Sequence, residues 1–320
     1  MAYPTPAVTV TTAATFIPEI WSDEIIAAYK KNLVLANIVM KMNFKGKKGD
    51  TVHIPAPTRG NATAKSASTA VTLIADTETE IQVLINKHFE YSRFIEDIVE
   101  AQALNSLRQF YTADAGYALA KQVDTSLIQL GRAFNGATVG TNDYATATAT
   151  SKAFIGGDGT TAYNSSTSNA SALTDAAIRR TIQRLDDNDT PMDNRFFIIP
   201  PSSRNTLMGL SRYTEQAFVG NGNAIRTGEI GQLYGIPVFT SSNADTGAGN
   251  STTDRICLMG HKDAMVLVEQ IGIRSQTQYK QDYLATLFTS DTLYGVAALR
   301  AAASTGAALS SSAYALAVPA

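Results

Sequence analysis

The chain has 320 residues, 44% of them hydrophobic, enough apolar surface for one large domain or two smaller ones. Its formal net charge of -2 excludes the basic bias of a protein that holds nucleic acid through its phosphates. Only 17% of residues are charged, below the usual quarter, a composition expected where much of the surface becomes interface.

Residues 1–15 are rich in Thr, Ala, Pro and Val and lack the basic start of a secretory signal; an extended arm is expected. Pro18 and Glu19 suit a first helical turn, and Trp21, Ile25, Ala28 and Tyr29 recur at helical spacing to about Asn32. Trp21 is then either a core anchor or an anchor on another chain. Lys45 to Asp50 reads as a turn by its glycines, and Thr51 to Pro55 as a strand. Residues 56–72 are small, polar and aperiodic. Alternation returns over Glu80 to Lys87, with Ile81, Val83 and Ile85 on one face. Two strands of about twelve residues around such a tip predict a hairpin reaching ~40 Å. It is too thin to cover its own apolar face and must lie on something else. Arg59 and Lys65 stand in its tip.

Residues 94–134 contain no proline and predict one helix of ~60 Å. Residues 135–172, rich in Gly, Thr, Ser and Ala, read as an irregular insertion. Thr174 caps a helix whose Ile178, Ile182 and Leu185 face inward. Asp186, Asp187 and Asp189 lie at its C-terminal end, against the dipole, and call for a basic partner from outside the helix. Arg195 to Ile199 is a buried strand leading through Pro200 and Pro201 to a short helix over 205–210. Gly220 to Asn223 marks a loop. Strands are expected over 236–240, 255–259, 265–269, 273–279 and 294–299, and a small-residue tail from Ala301. The fold class is mixed α+β, without sequence repeats and without a run long enough for a membrane helix.

No constellation of catalytic residues stands out. There is no phosphate-binding G-x-x-x-x-G-K, no dinucleotide fingerprint, no H-E-x-x-H and no G-x-S-x-G. The single cysteine, Cys257, excludes an intrachain disulfide and reads as a small buried hydrophobe. His53, His88 and His261 are scattered. The aspartates near 186 lack the spacing of a calcium loop. Arg179, Arg180 and Arg184 mark a basic helix face. No metal and no cofactor is expected.

Three segments carry a resemblance. Arg195-Phe196-Phe197-Ile198-Ile199-Pro200-Pro201-Ser202-Ser203 is similar to a strand-to-helix entry. Residues 228–243 hold the pattern Tyr234-Gly235-Ile236-Pro237-Val238, followed by Ser241. Tyr294-Gly295-Val296-Ala297-Ala298-Leu299-Arg300 resembles a closing strand, with Ala301 where proline is common. In this order, after a hairpin and a long helix, they resemble the capsid proteins of tailed double-stranded DNA phages, those of short-tailed phages among them. The resemblance implies the Hong Kong phage fold. Its parts would be an N-terminal arm (1–43), an extended hairpin or E-loop (44–90), and a P domain with a spine helix (91–134 and 276–302). An insertion (135–172), an A domain (173–275) and a C-terminal tail (303–320) would complete it. No acidic helical segment precedes the arm, so a fused scaffolding domain is expected to be absent or already removed.

The function implied is a non-enzymatic shell subunit, assembling with itself as hexamers and pentamers into an icosahedral capsid around the genome. Scaffolding protein, portal and a cement protein are the partners implied, with weak contact to packaged DNA and no membrane. The place implied is the virion, after assembly in the host cytoplasm. Expected intersubunit contacts are Trp21, Arg59, Lys65, Ile81, Val83 and Ile85, with Asp186, Asp187 and Asp189 as acidic partners. Two rivals remain: an encapsulin-type nanocompartment shell and, more distantly, a mixed-sheet enzyme.

Overall fold

A computed structural model describes residues 34–46, 48–57, 62–71, 73, 78–97, 107–132, 153–163, 168–210, 231–244, 254–299 and 312–320. The expected helix over 18–32 and loop over 220–223 lie outside these residues. Two sheets share one long helix. The first sheet is built from β1 (Met40–Asn43), β10 (Met265–Lys280), β11 (Ala285–Ala298) and β4 (Lys87–Glu96), in that order. The second runs β5 (Phe154–Ile155), β12 (Ala313–Val318), β9 (Arg255–His261), β6 (Arg195–Ile199), β8 (Ile236–Thr240) and β7 (Gln232–Leu233). A separate antiparallel pair, β2 (Thr51–Pro57) with β3 (Glu78–Leu84), forms the hairpin. The helices are α1 (Leu35–Ile38), α2 (Leu107–Arg132), α3 (Asp175–Asp187) and α4 (Pro201–Met208).

The spine helix α2 packs between the sheets. Leu127, Ile128 and Leu130 join Phe196, Ile198 and Leu258 of one sheet and Met265, Leu267, Tyr294 and Val296 of the other in a single core. At Gly131 an added Cβ would meet Leu258 Cδ2 at 2.5 Å, so glycine permits this close approach. Tyr294 is fully buried there and shares a 2.9 Å hydrogen bond with Ser126 Oγ. Burial pushes its phenol up to about 12.

The buried strand β6 follows from its sequence. Phe196 and Ile198 face α2, while Phe197 and Ile199 face the opposite core with Ile178, Leu185 and Leu207. A strand covered on both faces reads as an unbroken apolar run. Thr174 caps α3 as expected, its Oγ1 accepting from Ala177 N at 3.3 Å. Ile178 and Leu185 are buried, and Ile182 packs beside them.

Four expectations change. Phe94, Ile95 and Glu96 belong to β4 and not to the long helix, because the period-two alternation of Lys87, Phe89 and Tyr91 against His88, Glu90 and Ser92 runs on. From Leu107 to Arg132 the helix spans ~39 Å. Residues 265–275, expected in the A domain, open β10, which pairs along its length with β11. Within the supposed insertion, Ala153 and Tyr163 are buried and β5 pairs with β12. The supposed tail ends in β12, whose Ala313, Ala315, Leu316, Ala317 and Val318 are core residues between β5 and β9.

Candidate assembly surfaces

The hairpin is rooted in its own chain. Val52, Val83 and Ile85 pack with Val266 and Val268 of β10, and Ile54 lies against them. Ile85 N donates to Asp50 O at 2.7 Å and Gln270 Nε2 to Gly49 O at 2.9 Å. Val83 (0% exposed) and Ile85 (8%) therefore offer no face to another chain, and Ile81 is half-buried. The apolar face expected to await a neighbour is covered by the sheet that the hairpin leaves. Near the root, His53 Nδ1 lies 2.9 Å from Glu80 Oε2 on the exposed side. Hydrogen bonds from Gln82 first, then His53, hold the Glu80 carboxyl below its ordinary range.

Beyond the root the chain changes character. The paired strands have seven residues each, so the ladder itself spans ~23 Å, less than the ~40 Å expected. Residues 62–71 and Leu73 are exposed, Lys65 among them. Their local order is a turn in which Thr69 Oγ1 donates to Ser66 O at 2.7 Å. Val71 is 67% and Leu73 87% exposed. Arg59 and Trp21 lie outside the described residues.

A second surface was not legible in the sequence. The far half of β10, from Arg274 to Tyr279, is exposed on both faces. Phe94, Leu287 and Gln278 stand side by side across β4, β11 and β10. The opposite face of these strands is occupied by α2: Tyr91 OH donates to Asp114 Oδ2 at 3.0 Å, and Arg93 stacks 4.6 Å over the Tyr111 ring. On the Phe94 side, apolar side chains are exposed. Phe94 (57% exposed) touches Tyr283 (71%) with ring centroids 5.7 Å apart, and Leu284 (65%) adjoins them at the hairpin end. Leu284 takes a left-handed conformation, φ 44°, to close the turn. Alternation through Tyr279 followed by Asp282 was the available signal. It was hidden by the small, polar run from Thr289 to Thr292, which does not look like a strand.

The first sheet is tied by charge. Asp291 accepts from Arg274 Nε at 2.7 Å and Nη2 at 2.9 Å, with His88 Nε2 at 3.2 Å. Arg274 first, then His88, holds the Asp291 carboxyl below its ordinary range. In the second sheet, Asp186 already has a partner. Arg195 Nη2 donates to Asp186 Oδ1 at 2.7 Å and to the Thr190 carbonyl at 2.6 Å. The basic partner expected from outside the helix is Arg195 of β6, because the turn after α3 brings it back beneath the helix end. Asp187 and Asp189 remain exposed. Cys257 is fully buried beside Ser203, and burial pushes its thiol up to about 12. Among the described residues no group of three His, Cys, Asp or Glu is arranged to hold a metal ion. Among the same residues no helix is long and apolar enough to cross a membrane.

The sequence matches a family described as phage capsid protein over residues 17–305. The chain belongs to the phage capsid protein family. Its members build a virion shell, and this chain is a shell subunit. Solved structures agree on the fold. A chain from Mycobacterium phage Che8 is similar with a TM-score of 0.71 at 21% identity, covering 94% of this chain and 97% of that one. One from the capsid of cyanophage P-SCSP1u gives 0.70 at 20%, covering 95% and 93%. One from the acid-stable capsid of Helicobacter pylori bacteriophage KHP30 gives 0.66 at 11%, covering 99% and 100%. No curated protein matches the chain. The strand-to-helix entry at Arg195 and the closing strand at Tyr294 are both present, as β6 with α4 and as the end of β11.

Proposed function

We propose that this chain is the major capsid protein of a tailed double-stranded DNA phage, and that it works by assembly into rings of six and five that close into an icosahedral shell. The observation that carries this reading is a pair of exposed apolar surfaces among the described residues. Residues 62–71 and Leu73 are exposed, with the apolar side chains of Val71 and Leu73 among them. The Phe94–Tyr283–Leu284 patch exposes apolar surface at the end of the first sheet far from the hairpin root. Covering side chains of this size stabilises by about 1.5–3 kcal/mol each, which a repeating contact multiplies around a ring. Contacts through Trp21, Arg59 and Lys65, and through Asp187 and Asp189, belong to the same proposal. Lys65 and these aspartates are exposed and free to meet another copy. The role is structural and not enzymatic. Scaffolding protein and portal guide assembly in the host cytoplasm, a cement protein can seat on the finished surface, and the net charge of -2 keeps contact with packaged DNA weak.

The test is light scattering and electron imaging of the purified chain, alone and co-expressed with its scaffolding protein. Closed particles of uniform diameter are expected. A folded monomer under every condition contradicts the proposal.

A further inference from the structure

Helix α1 begins without a cap of its own. Val34, at its N-cap position, has no side-chain oxygen to offer, yet the first amides of a helix need acceptors. The acceptor comes from far along the chain. Asp124 Oδ1, on the spine helix, takes hydrogen bonds from Leu35 N at 2.9 Å and Ala36 N at 3.2 Å. The other oxygen, Oδ2, accepts from Asn243 Nδ2 at 3.1 Å, and the same amide reaches Thr125 Oγ1 at 3.2 Å. Asp124 is 0% and Asn243 7% exposed. Asn243 follows β8, in a loop held to β6 by Ser241 N donating to Ile199 O at 3.0 Å.

One buried carboxylate thus joins three bodies. These are the spine helix, the second sheet through the loop after β8, and α1, which leads directly into β1 at the edge of the first sheet. A carboxylate buried in this way demands its partners, since each lost bond leaves a desolvated acceptor. Geometry at the joint therefore fixes two directions that a shell must reproduce in every copy: the angle of the second sheet to the spine, and the seating of α1, with the β1 edge that follows it, on the spine. We propose that Asp124 is a positioning residue for assembly, setting both directions through its two oxygens, with Asn243 as its partner in the second sheet. The inference rests on the shell reading.

The pair can be exchanged. In Asp124→Asn the amide oxygen still accepts from Leu35 and Ala36, but its nitrogen meets the Asn243 nitrogen donor against donor, and Asn243 relieves this only by turning its amide over and giving up its donation to Thr125 Oγ1. In the double variant Asp124→Asn/Asn243→Asp the donor and acceptor change places and the bond returns. Asn243→Ala removes the amide alone and leaves the cap of α1 in place. The expected results are subunits that melt cooperatively in all three cases. Shell yield should fall about tenfold or more in Asp124→Asn and Asn243→Ala, and recover in the exchanged pair. Hydrogen exchange should speed up at residues 241–244 in Asn243→Ala while the amides of 35–38 stay protected. If Asp124→Asn does not fold, Asn243→Ala and the exchanged pair decide. Native yield and diameter in Asn243→Ala overturn the inference, as does an exchanged pair that folds but does not close shells. The unsubstituted chain separates this from the shell reading: if it forms no particles with its scaffold, the reading fails first.

Discussion

Gly295→Ala tests how the hairpin is rooted. Gly295 lies opposite Val268 in β11, where the chain leaving β3 crosses the sheet on its way to β4. An added Cβ would stand 3.0 Å from Leu84 C and 3.2 Å from Ile85 Cα, with the Leu84 carbonyl oxygen closer still. All three are backbone atoms, so no side chain can swing aside. Nor can the crossing lift freely. Val83 and Ile85 are locked in the core on either side of Leu84, and Ile85 N is bonded to Asp50 O. Overpacking of this kind costs about 1–3 kcal/mol. Replacing glycine in a strand returns about 0.5–1 kcal/mol. A net loss of about 1–2 kcal/mol should lower the melting temperature of the free subunit by roughly 1.5–3 °C. Gly116→Ala is the control: its Cβ meets nothing within 4 Å, it lies in α2, and it should melt at or above the parent. A Gly295→Ala subunit that melts with or above the parent would refute the rooted crossing.

Three further outcomes follow from the geometry. Phe94→Ser and Tyr283→Ser, at positions 57% and 71% exposed, should lower subunit stability by about 1 kcal/mol yet reduce shell yield by far more, with parallel loss of both properties counting against the exposed patch as a contact. Asp291 has a lowered folded pKa, so its contribution is present above the ordinary aspartate value near 3.9 and is lost as pH falls through the lower folded value. Melting of Asp291→Asn should accordingly fall below the parent at neutral pH and converge with it as pH falls through the lowered folded value, whereas a gap that stays constant on acidification would show that the ion pair is not the cause. Cys257, buried with its thiol pushed up to about 12, should react with a maleimide only in denaturant; rapid labelling of the native subunit would contradict its placement in β9.

What the sequence disclosed was local. The run Phe196 to Ile199 between Arg195 and two prolines, and Thr174 before an amphipathic stripe, each carry their own signal within one element. The rest depended on what covers what. Alternation at Ile81, Val83 and Ile85 defines an apolar face but not its partner, which is β10 of the same chain. Alanines give β12 little strand propensity, and it is a strand because it lies between β5 and β9, close enough that Gly260 is needed beneath Ala313. Asp186 and Arg195 are nine positions apart across a turn, and only the turn's path joins them. Phe94, Tyr283 and Leu284 come from segments nearly two hundred residues apart and meet only through the register of β4 with β11.

Hydrogen exchange on the free subunit and on assembled shells tests the account most directly. The account predicts that amides of residues 81–85 are protected in both states, since the hairpin root is core. It predicts that amides of residues 62–71 exchange freely in the subunit and slowly in the shell, where another copy covers them. Equal exchange of residues 62–71 in the two states would contradict it.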